Sequence, residues 1–222
     1  TAENCTLAVV GGLVKINGSD PTGGPVSPGQ ITAIQVTCAQ TGNNTIDLRP
    51  ATVDNGFSGV SVWVRHTGGG TNITHGTDFD DFVLGGGNAD TIFGYLGNDT
   101  LLGAGGADTL NGGLGNDSLG GTGGNDVLND NEGDDTLWGG AGNDTFNPGT
   151  GSDTCLADQP AVTAPWGNVG ANADDAAGND RINITLTPGS DVDSAEGGLG
   201  TDRLVVTCLP YFGYQMLNSG TA

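Results

Sequence analysis

Basic residues are scarce in this chain. Five Lys and Arg stand against 26 Asp and Glu, for a formal net charge of −21 at pH 7, and no Lys or Arg lies between Arg65 and Arg181. Nucleic-acid binding depends on a basic surface, so the composition argues against that class of partner. The same stretch, residues 66–180, carries 18 acidic residues, and such a segment stays compact only when cations compensate its charge.

Catalytic motifs and long apolar runs are also missing. The chain has no HExxH and no GxSxG, the motifs that mark zinc proteases and lipases. Its two histidines, His66 and His75, are more typical of stacked or surface side chains than of a catalytic base. No apolar run reaches the about 18 residues that a membrane span requires. The chain is therefore predicted not to be an enzyme and not to cross a membrane.

Glycine and aspartate are abundant instead, and they recur at a fixed period. Residues 76–156 divide without a slip into nine nonapeptides, of which GYLGNDTLL at residues 94–102 is typical. The sixth position is always aspartate: Asp81, Asp90, Asp99, Asp108, Asp117, Asp126, Asp135, Asp144 and Asp153. The eighth position is always apolar: Val83, Ile92, Leu101, Leu110, Leu119, Leu128, Leu137, Phe146 and Cys155. Because so short a unit cannot bury its apolar side chain alone, the units are predicted to stack as a solenoid.

These nonapeptides resemble the RTX family, whose glycine- and aspartate-rich repeat reads GGxGxDxUx. The resemblance implies an all-β fold, a parallel β-roll solenoid that binds calcium, over residues 76–156. Glycines at the first and fourth positions of each turn are expected to permit positive φ and to direct backbone carbonyls at a common point. The predicted metal ligands are the nine sixth-position aspartates together with the fourth-position glycines Gly97, Gly106, Gly115, Gly124 and Gly142.

Stacking places the aspartates in columns. In a β-roll two nonapeptides complete one coil, so residues two repeats apart stack at about 4.8 Å. One column is Asp81, Asp99, Asp117, Asp135 and Asp153, and the other is Asp90, Asp108, Asp126 and Asp144. Neighbouring carboxylates at that spacing repel by roughly 3 kcal/mol at an effective dielectric constant near 20, and a cation between them reverses the sign. With one ion between each stacked pair, we predict about seven Ca²⁺, because calcium accepts oxygen ligands in flexible geometry, whereas magnesium demands a strict octahedron and zinc prefers nitrogen and sulfur.

The repeats are not equivalent. Phe79 interrupts the first loop, Asn88 replaces glycine in the second, and Asp130, Asn131 and Glu132 replace the usual sequence of the seventh. Metal sites that involve those loops are expected to be the poorest. The best sites are expected over residues 94–126 and 139–144.

Two further zones flank the array. Residues 1–75 contain alternating and aliphatic runs separated by turns, which predict β-strands in either a small β-sandwich or irregular coils that continue the roll. Residues 157–222 repeat the turn in altered form at Asp180 and Asp202, two further candidate metal ligands, and predict degenerate coils. Because solenoids require capped ends, we predict an N-terminal cap or assembly region, the roll, and a C-terminal cap.

Four cysteines, Cys5, Cys38, Cys155 and Cys208, occur without the CxxC or Cys/His spacing of a zinc site. An even number in an exported protein favours two disulfides, and proximity in the sequence suggests Cys5 with Cys38 and Cys155 with Cys208. Other pairings and buried thiols are the alternatives. The chain begins at Thr1 without Met or a signal peptide, so we expect a processed form or a fragment.

The predicted function is that of an extracellular calcium-binding structural protein, secreted or at the cell surface, whose roll folds when calcium binds. Such a module suits a surface layer, a matrix, an adhesin, or a filament of identical subunits joined head to tail. The alternatives are a carbohydrate-binding module that contacts surface glycans, or an accessory domain of a secreted enzyme such as a polysaccharide lyase. Trp138, next to a core leucine, is expected to be an exposed platform for a sugar or a partner.

Overall fold

The structure is a computed structural model. It describes residues 4–10, 13–16, 26–38, 42–52, 54–156, 162–164, 167–169, 177–178, 181–186, 194–196, 199–200 and 203–208. Within those ranges the one helix is a short 3-10 turn, Pro28–Gln30, and the other regular elements are β-strands. The prediction of an all-β fold is confirmed.

The strands follow one another at short intervals along the chain. They are β1 (Asn4–Val10), β2 (Leu13–Ile16), β3 (Ala33–Cys38), β4 (Thr45–Asp47), β5 (Ser61–His66), β6 (Ile73–His75), β7 (Asp81–Leu84), β8 (Thr91–Leu96), β9 (Thr100–Gly105), β10 (Thr109–Leu114), β11 (Ser118–Gly123), β12 (Val127–Asn129), β13 (Thr136–Ala141), β14 (Thr145–Asn147), β15 (Thr154–Leu156), β16 (Val162–Ala164), β17 (Gly167–Val169), β18 (Ala177–Gly178), β19 (Arg181–Leu186), β20 (Ser194–Glu196), β21 (Leu199–Gly200) and β22 (Arg203–Cys208).

Two long sheets contain most of these strands. The first sheet has ten strands in the order β2-β1-β4-β6-β8-β10-β12-β14-β19-β22, and the second has eight in the order β20-β15-β13-β11-β9-β7-β5-β3. Among the described strands, neighbours are parallel except in the pairs β1–β2 and β16–β17. Because successive strands alternate between the two sheets, the chain winds as a parallel β-solenoid of about five turns.

Each coil of the repeat array spans two nonapeptides. Leu110 in β10 is opposite Ile92 in β8 and Leu128 in β12. In the second sheet, Leu119 is opposite Leu101 and Leu137. Equivalent positions of alternate repeats therefore stack, as the period predicted.

The core is a file of apolar side chains between the two sheets. The eighth-position residues, Val83, Ile92, Leu101, Leu110, Leu119, Leu128, Leu137, Phe146 and Cys155, are 0% or 1% exposed and belong to one cluster. Burial of a leucine stabilises the folded state by roughly 2 kcal/mol, but only when the next coil covers it. The roll is therefore stable only as a stack.

The described residues between 33 and 75 form wider coils of the same solenoid. Ile34 in β3 is opposite Val62 in β5, and Val64 is opposite Val83 of the first repeat. The side-chain amide of Asn44 donates to Oδ1 of Asn72, 28 residues away, at 2.7 Å. The alternative of a small β-sandwich is therefore wrong for this segment, and the irregular coils are present.

Of the strands after residue 156, β19 and β22 extend the first sheet and β20 extends the second. Phe146 in β14 is opposite Ile182 in β19, which is opposite Leu204 in β22. Arg181 and Arg203 are opposite each other in the same ladder. The altered repeats at these positions therefore keep the register of the roll.

Candidate metal centre

Turns at the two edges of the solenoid carry the sixth-position aspartates, whose side chains are only 1–3% exposed. The turns that lead into the second sheet contain Asp81, Asp99, Asp117, Asp135 and Asp153, and those that lead into the first contain Asp90, Asp108, Asp126 and Asp144. The sequence therefore predicted the two columns correctly.

One carboxylate oxygen of these aspartates joins adjacent coils. Oδ1 of Asp117 accepts the backbone N–H of Asp99 at 2.7 Å, and Oδ1 of Asp126 accepts that of Asp108 at 2.8 Å. The same hydrogen bond recurs at Asp99, Asp108, Asp135, Asp144 and Asp153, each from the aspartate one coil earlier. A hydrogen bond to a charged acceptor contributes roughly 2 kcal/mol, so the column stabilises the stack directly.

The other carboxylate oxygen, Oδ2, has no hydrogen-bond donor in the middle repeats of the array. It is buried and accepts no hydrogen bond in Asp99, Asp108, Asp117, Asp126 and Asp135. A buried carboxylate oxygen without a donor or a cation is costly. These oxygens therefore mark the positions where a cation would stabilise the fold.

Glycine at the first position of most turns leaves room beside that oxygen. A Cβ on Gly94 would lie 2.0 Å from Oδ2 of Asp99 and 2.7 Å from the carbonyl oxygen of Gly112 in the next coil. A Cβ on Gly121 would meet Oδ2 of Asp126 at 2.1 Å. Neither glycine has positive φ, so our expectation for the first position is wrong. These glycines keep side chains away from a small space surrounded by oxygen atoms.

Positive φ occurs at the second and fourth positions of the turns. The fourth-position glycines Gly97, Gly106, Gly115, Gly124 and Gly142 have φ between 114° and 142°, as predicted. At the second position, φ is 87° at Tyr95, 79° at Ala104 and 81° at Thr122. Positive φ at these three residues was not predictable from the sequence, because residues with a side chain rarely adopt this conformation.

Burial strongly disfavours the charged form of these carboxyls. It raises the pKa of Asp99 to about 9, with a further contribution from the charge of Asp81, and the pKa values of Asp108 and Asp126 to about 7. The repeats contain no Lys or Arg that could compensate the charge. A bound cation would hold the aspartates ionised at neutral pH.

The first coil differs from those that follow. Oδ2 of Asp81 accepts the backbone N–H of Thr77 at 2.7 Å, and Oδ1 accepts its hydroxyl at 2.9 Å. Oδ2 of Asp90 accepts the N–H of Gly86 at 2.6 Å, while Oδ1 accepts that of Asn72 at 2.7 Å. Protein donors thus satisfy both oxygens of these aspartates, which agrees with the expectation of poor metal sites in the first two loops.

The seventh loop contains an acidic residue, Asp130, that is not among the metal ligands predicted from the sequence. Asp130, at the first position, is 6% exposed and lies beside Asp117 and Asp135. The signal was present in the sequence, since an acidic residue stands where most repeats have glycine. The sequence instead predicts that this replacement, together with Asn131 and Glu132, makes a poor site.

The donor set of the turns consists of oxygen atoms. Aspartate Oδ2 atoms and glycine carbonyls face the same space, and the repeats contain no histidine. Such a set fits Ca²⁺, which takes carboxylates and backbone carbonyls in flexible geometry, better than Mg²⁺ or Zn²⁺.

Three segments of the chain, residues 66–101, 84–119 and 120–155, match the family of RTX calcium-binding nonapeptide repeats. The repeat array is an RTX β-roll. Comparisons with curated proteins and with solved structures gave no match. RTX repeats bind calcium, RTX proteins are typically secreted, and RTX β-rolls are typically structural rather than catalytic.

The histidines of the RTX β-roll have packing roles. His66 is 3% exposed, and its Nε2 forms a hydrogen bond with Oγ1 of Thr74 at 2.8 Å. His75 stacks on Phe93 with ring centroids 5.0 Å apart, and its Nδ1 forms a hydrogen bond with the hydroxyl of Tyr95 at 2.8 Å. His66 and Thr74 are both buried, at 3% and 0% exposure, so their contact belongs to the packed interior.

The expectation that Trp138 is an exposed platform on the RTX β-roll is wrong. The side chain is on the face of β13 opposite to core Leu137, but it is only 3% exposed. It packs in a second apolar cluster with Phe82, Leu84 and Leu102. A Cβ on Gly120 would lie 2.4 Å from Nε1 of Trp138, so the indole covers a position that only glycine leaves open.

Other predicted sites lie partly outside the described residues. Asp180 and Asp202 do so entirely, as do the side chains of Cys5 and Cys208. Cys38 and Cys155 are buried, at 3% and 0% exposure, and the two disulfides stay predictions. In the ranges described, no helix is long and apolar enough to cross a membrane.

Proposed function

We propose that Ca²⁺ binds between successive turns of the RTX β-roll, held by Oδ2 of the buried aspartates and by backbone carbonyls of the turns. The observation that carries this proposal is the set of buried Oδ2 atoms that accept no hydrogen bond. With one ion between each stacked pair of aspartates, the two columns hold about seven ions. The fourth-position glycines contribute through the turn conformation that their positive φ allows.

Calcium binding is coupled to folding in this proposal. The chain has a formal net charge of −21, the sixth-position aspartates are buried, and the repeats contain no Lys or Arg. An ion that binds only the folded chain stabilises it by mass action. The roll is therefore unfolded in calcium-poor solution and folded at the millimolar calcium outside cells.

A calcium titration tests this coupling. Far-ultraviolet circular dichroism should change from coil to β-structure as calcium is added, and magnesium at the same concentration should not replace it. Native mass spectrometry of the folded protein should count about seven ions. Folding to the same extent without calcium would contradict the proposal.

The biological role that fits such a module is an extracellular structural one, in a surface layer, matrix, adhesin or filament. The large acidic charge and the calcium requirement both suit an exported protein. Within the described chain, β3 and β20 are the outer strands of the second sheet, and outer strands can pair with another copy head to tail. Sedimentation velocity before and after calcium addition tests this role: ordered large species support a polymer, and a monomer points to one module of a longer assembly.

Glycan binding and an accessory role in a secreted enzyme are the alternatives. Both would use aromatic rings whose faces are open to a sugar. Trp138 is buried, and the rings of His75, Phe93 and Tyr95 stack on one another. The described residues therefore favour the structural role, and a glycan array gives the direct comparison.

A further inference from the structure

The seventh repeat brings a third carboxylate into one of the aspartate columns. Asp117 and Asp135 are stacked neighbours in that column, and Asp130 begins the loop that ends at Asp135. One oxygen from each of these three side chains lies within 4.8 Å of the others, and all three side chains are buried.

Backbone contacts fix the position of Asp130. Its Oδ1 accepts the N–H groups of Gly113 at 3.1 Å and Asn131 at 3.0 Å. Its own N–H donates to the carbonyl oxygen of Asn147 in the next coil at 2.7 Å. Backbone hydrogen bonds therefore hold the carboxylate in place, and no metal ion is required to orient it.

The other oxygen of Asp130 has no such partner. Oδ2 is buried and accepts no hydrogen bond, and the same is true of Oδ2 in Asp117 and Asp135. A Cβ on Gly112 would lie 2.4 Å from Oδ2 of Asp117, 2.6 Å from Oδ2 of Asp130 and 2.7 Å from its Oδ1. The carboxylates of Asp117 and Asp130 thus converge over Gly112. An oxygen of Asp135 lies within 4.8 Å of an oxygen of each.

We propose that Asp117, Asp130 and Asp135 form a calcium site with three carboxylates, and that this site holds its ion more tightly than the other sites of the roll. The inference rests on the proposed function, because it concerns one of the sites between stacked turns. It also reverses the expectation that the seventh loop makes a poor site.

Charge is the reason for the tighter binding. A stacked pair of aspartates neutralises one Ca²⁺, whereas three carboxylates leave an excess negative charge that holds the ion further. Calcium affinity in proteins rises with the number of charged ligands and the rigidity of the site.

Calcium release tests the inference. The folded, calcium-saturated protein is mixed with excess chelator, and the release of ions is followed with a fluorescent calcium indicator. We expect the wild-type protein to release about one ion per chain in the slowest phase, and Asp130→Asn to release that ion about tenfold faster or more. Asparagine keeps the Oδ1 acceptor for Gly113 and Asn131, removes the charge, and replaces Oδ2 with an amide NH2 group that does not bind Ca²⁺.

Asp134→Asn is the matched control. Asp134 lies in the same loop, is exposed, and uses Oδ1 to accept the N–H of Ser152 at 2.9 Å, an acceptor that asparagine keeps. The net charge changes equally in both variants, so only a ligand role of Asp130 separates them. Equal release rates in the wild type and Asp130→Asn would overturn the inference, as would equal acceleration in both variants.

Two further measurements keep the outcomes distinct. Circular dichroism at saturating calcium shows whether Asp130→Asn folds. If it does not fold, Asp130→Gly is used in its place, because glycine is the usual residue at this position of the repeat. Asp130→Gly should also lack the slowly released calcium ion. If the wild type binds no calcium, the proposed function fails together with the inference. If the wild type binds calcium and both Asp130 variants release it as slowly, only the inference fails.

Discussion

Asp126 uses its two carboxylate oxygens differently: Oδ1 accepts the backbone N–H of Asp108 at 2.8 Å, while Oδ2 is buried and accepts no hydrogen bond. The first contact joins two coils whether or not a metal is bound. In the proposed function, the second oxygen binds Ca²⁺. On that proposal, one residue type serves both the stacking of the backbone and the binding of calcium, which accounts for the aspartate at this position throughout the repeats.

The two roles of Asp126 are separable by substitution. Asparagine keeps an oxygen for the N–H of Asp108 but carries no charge, so Asp126→Asn should fold at saturating calcium with a raised calcium midpoint. Asp126→Ala also leaves that N–H without its acceptor, which costs about 1–3 kcal/mol more. Circular dichroism against calcium gives the midpoint, and urea unfolding at saturating calcium gives the stability. If both variants lost the same stability, the hydrogen bond would have no separate role.

The glycine that begins a regular turn, such as Gly121, should be irreplaceable for calcium binding at that turn. In Gly121→Ala the new methyl group would lie 2.1 Å from Oδ2 of Asp126 and 2.7 Å from the carbonyl oxygen of Gly139. We expect the calcium midpoint for folding to rise by about tenfold or more. Gly123→Ala is the control, because its nearest neighbour would be the carbonyl oxygen of Ala104 at an ordinary 3.6 Å. Similar midpoints for the two variants would show that Gly121 does not protect a metal site.

Much of the roll was predictable because the period assigns one role to each position. Aspartate at the sixth position predicts the carboxylate columns, and an apolar residue at the eighth predicts the core. Leu110 and Leu119 are in those core files, and Asp99 and Asp108 are in those columns. Regular stacking makes a local pattern sufficient for a long-range arrangement.

Departures from the period were harder to interpret, because their effects depend on neighbouring coils. Asp130 replaces the glycine that most repeats have at the first position, which predicted a poor metal site. Its side chain nevertheless lies beside Asp117 in the previous coil. Trp138 follows a core residue and faces outward, but Gly120 one coil earlier lets the indole pack against the sheet. The surroundings of Asp130 and the burial of Trp138 both depend on residues two repeats away in the sequence.

Trp138 should therefore affect stability rather than recognition. It belongs to the cluster with Phe82, Leu84 and Leu102 and is 3% exposed, so Trp138→Ala should destabilise the calcium-saturated protein by about 3–5 kcal/mol. Urea unfolding monitored by circular dichroism measures this loss. Leu96→Ala is a suitable control, because Leu96 is 40% exposed and its truncation should change stability little. Unchanged stability in Trp138→Ala would mean that the indole is not packed in solution.

His66 should make the folded protein sensitive to acid. Burial lowers its pKa from 6.5 to about 4, so between these values the unfolded chain takes up a proton that the folded chain does not. Stability is therefore complete above pH 6.5 and falls by up to about 3 kcal/mol as the pH drops toward 4. His66→Gln removes the titrating group and retains a polar partner for Thr74. Urea unfolding at saturating calcium, from pH 7 to about pH 4.5, should show a smaller loss in the variant, and parallel profiles would exclude His66 as the source.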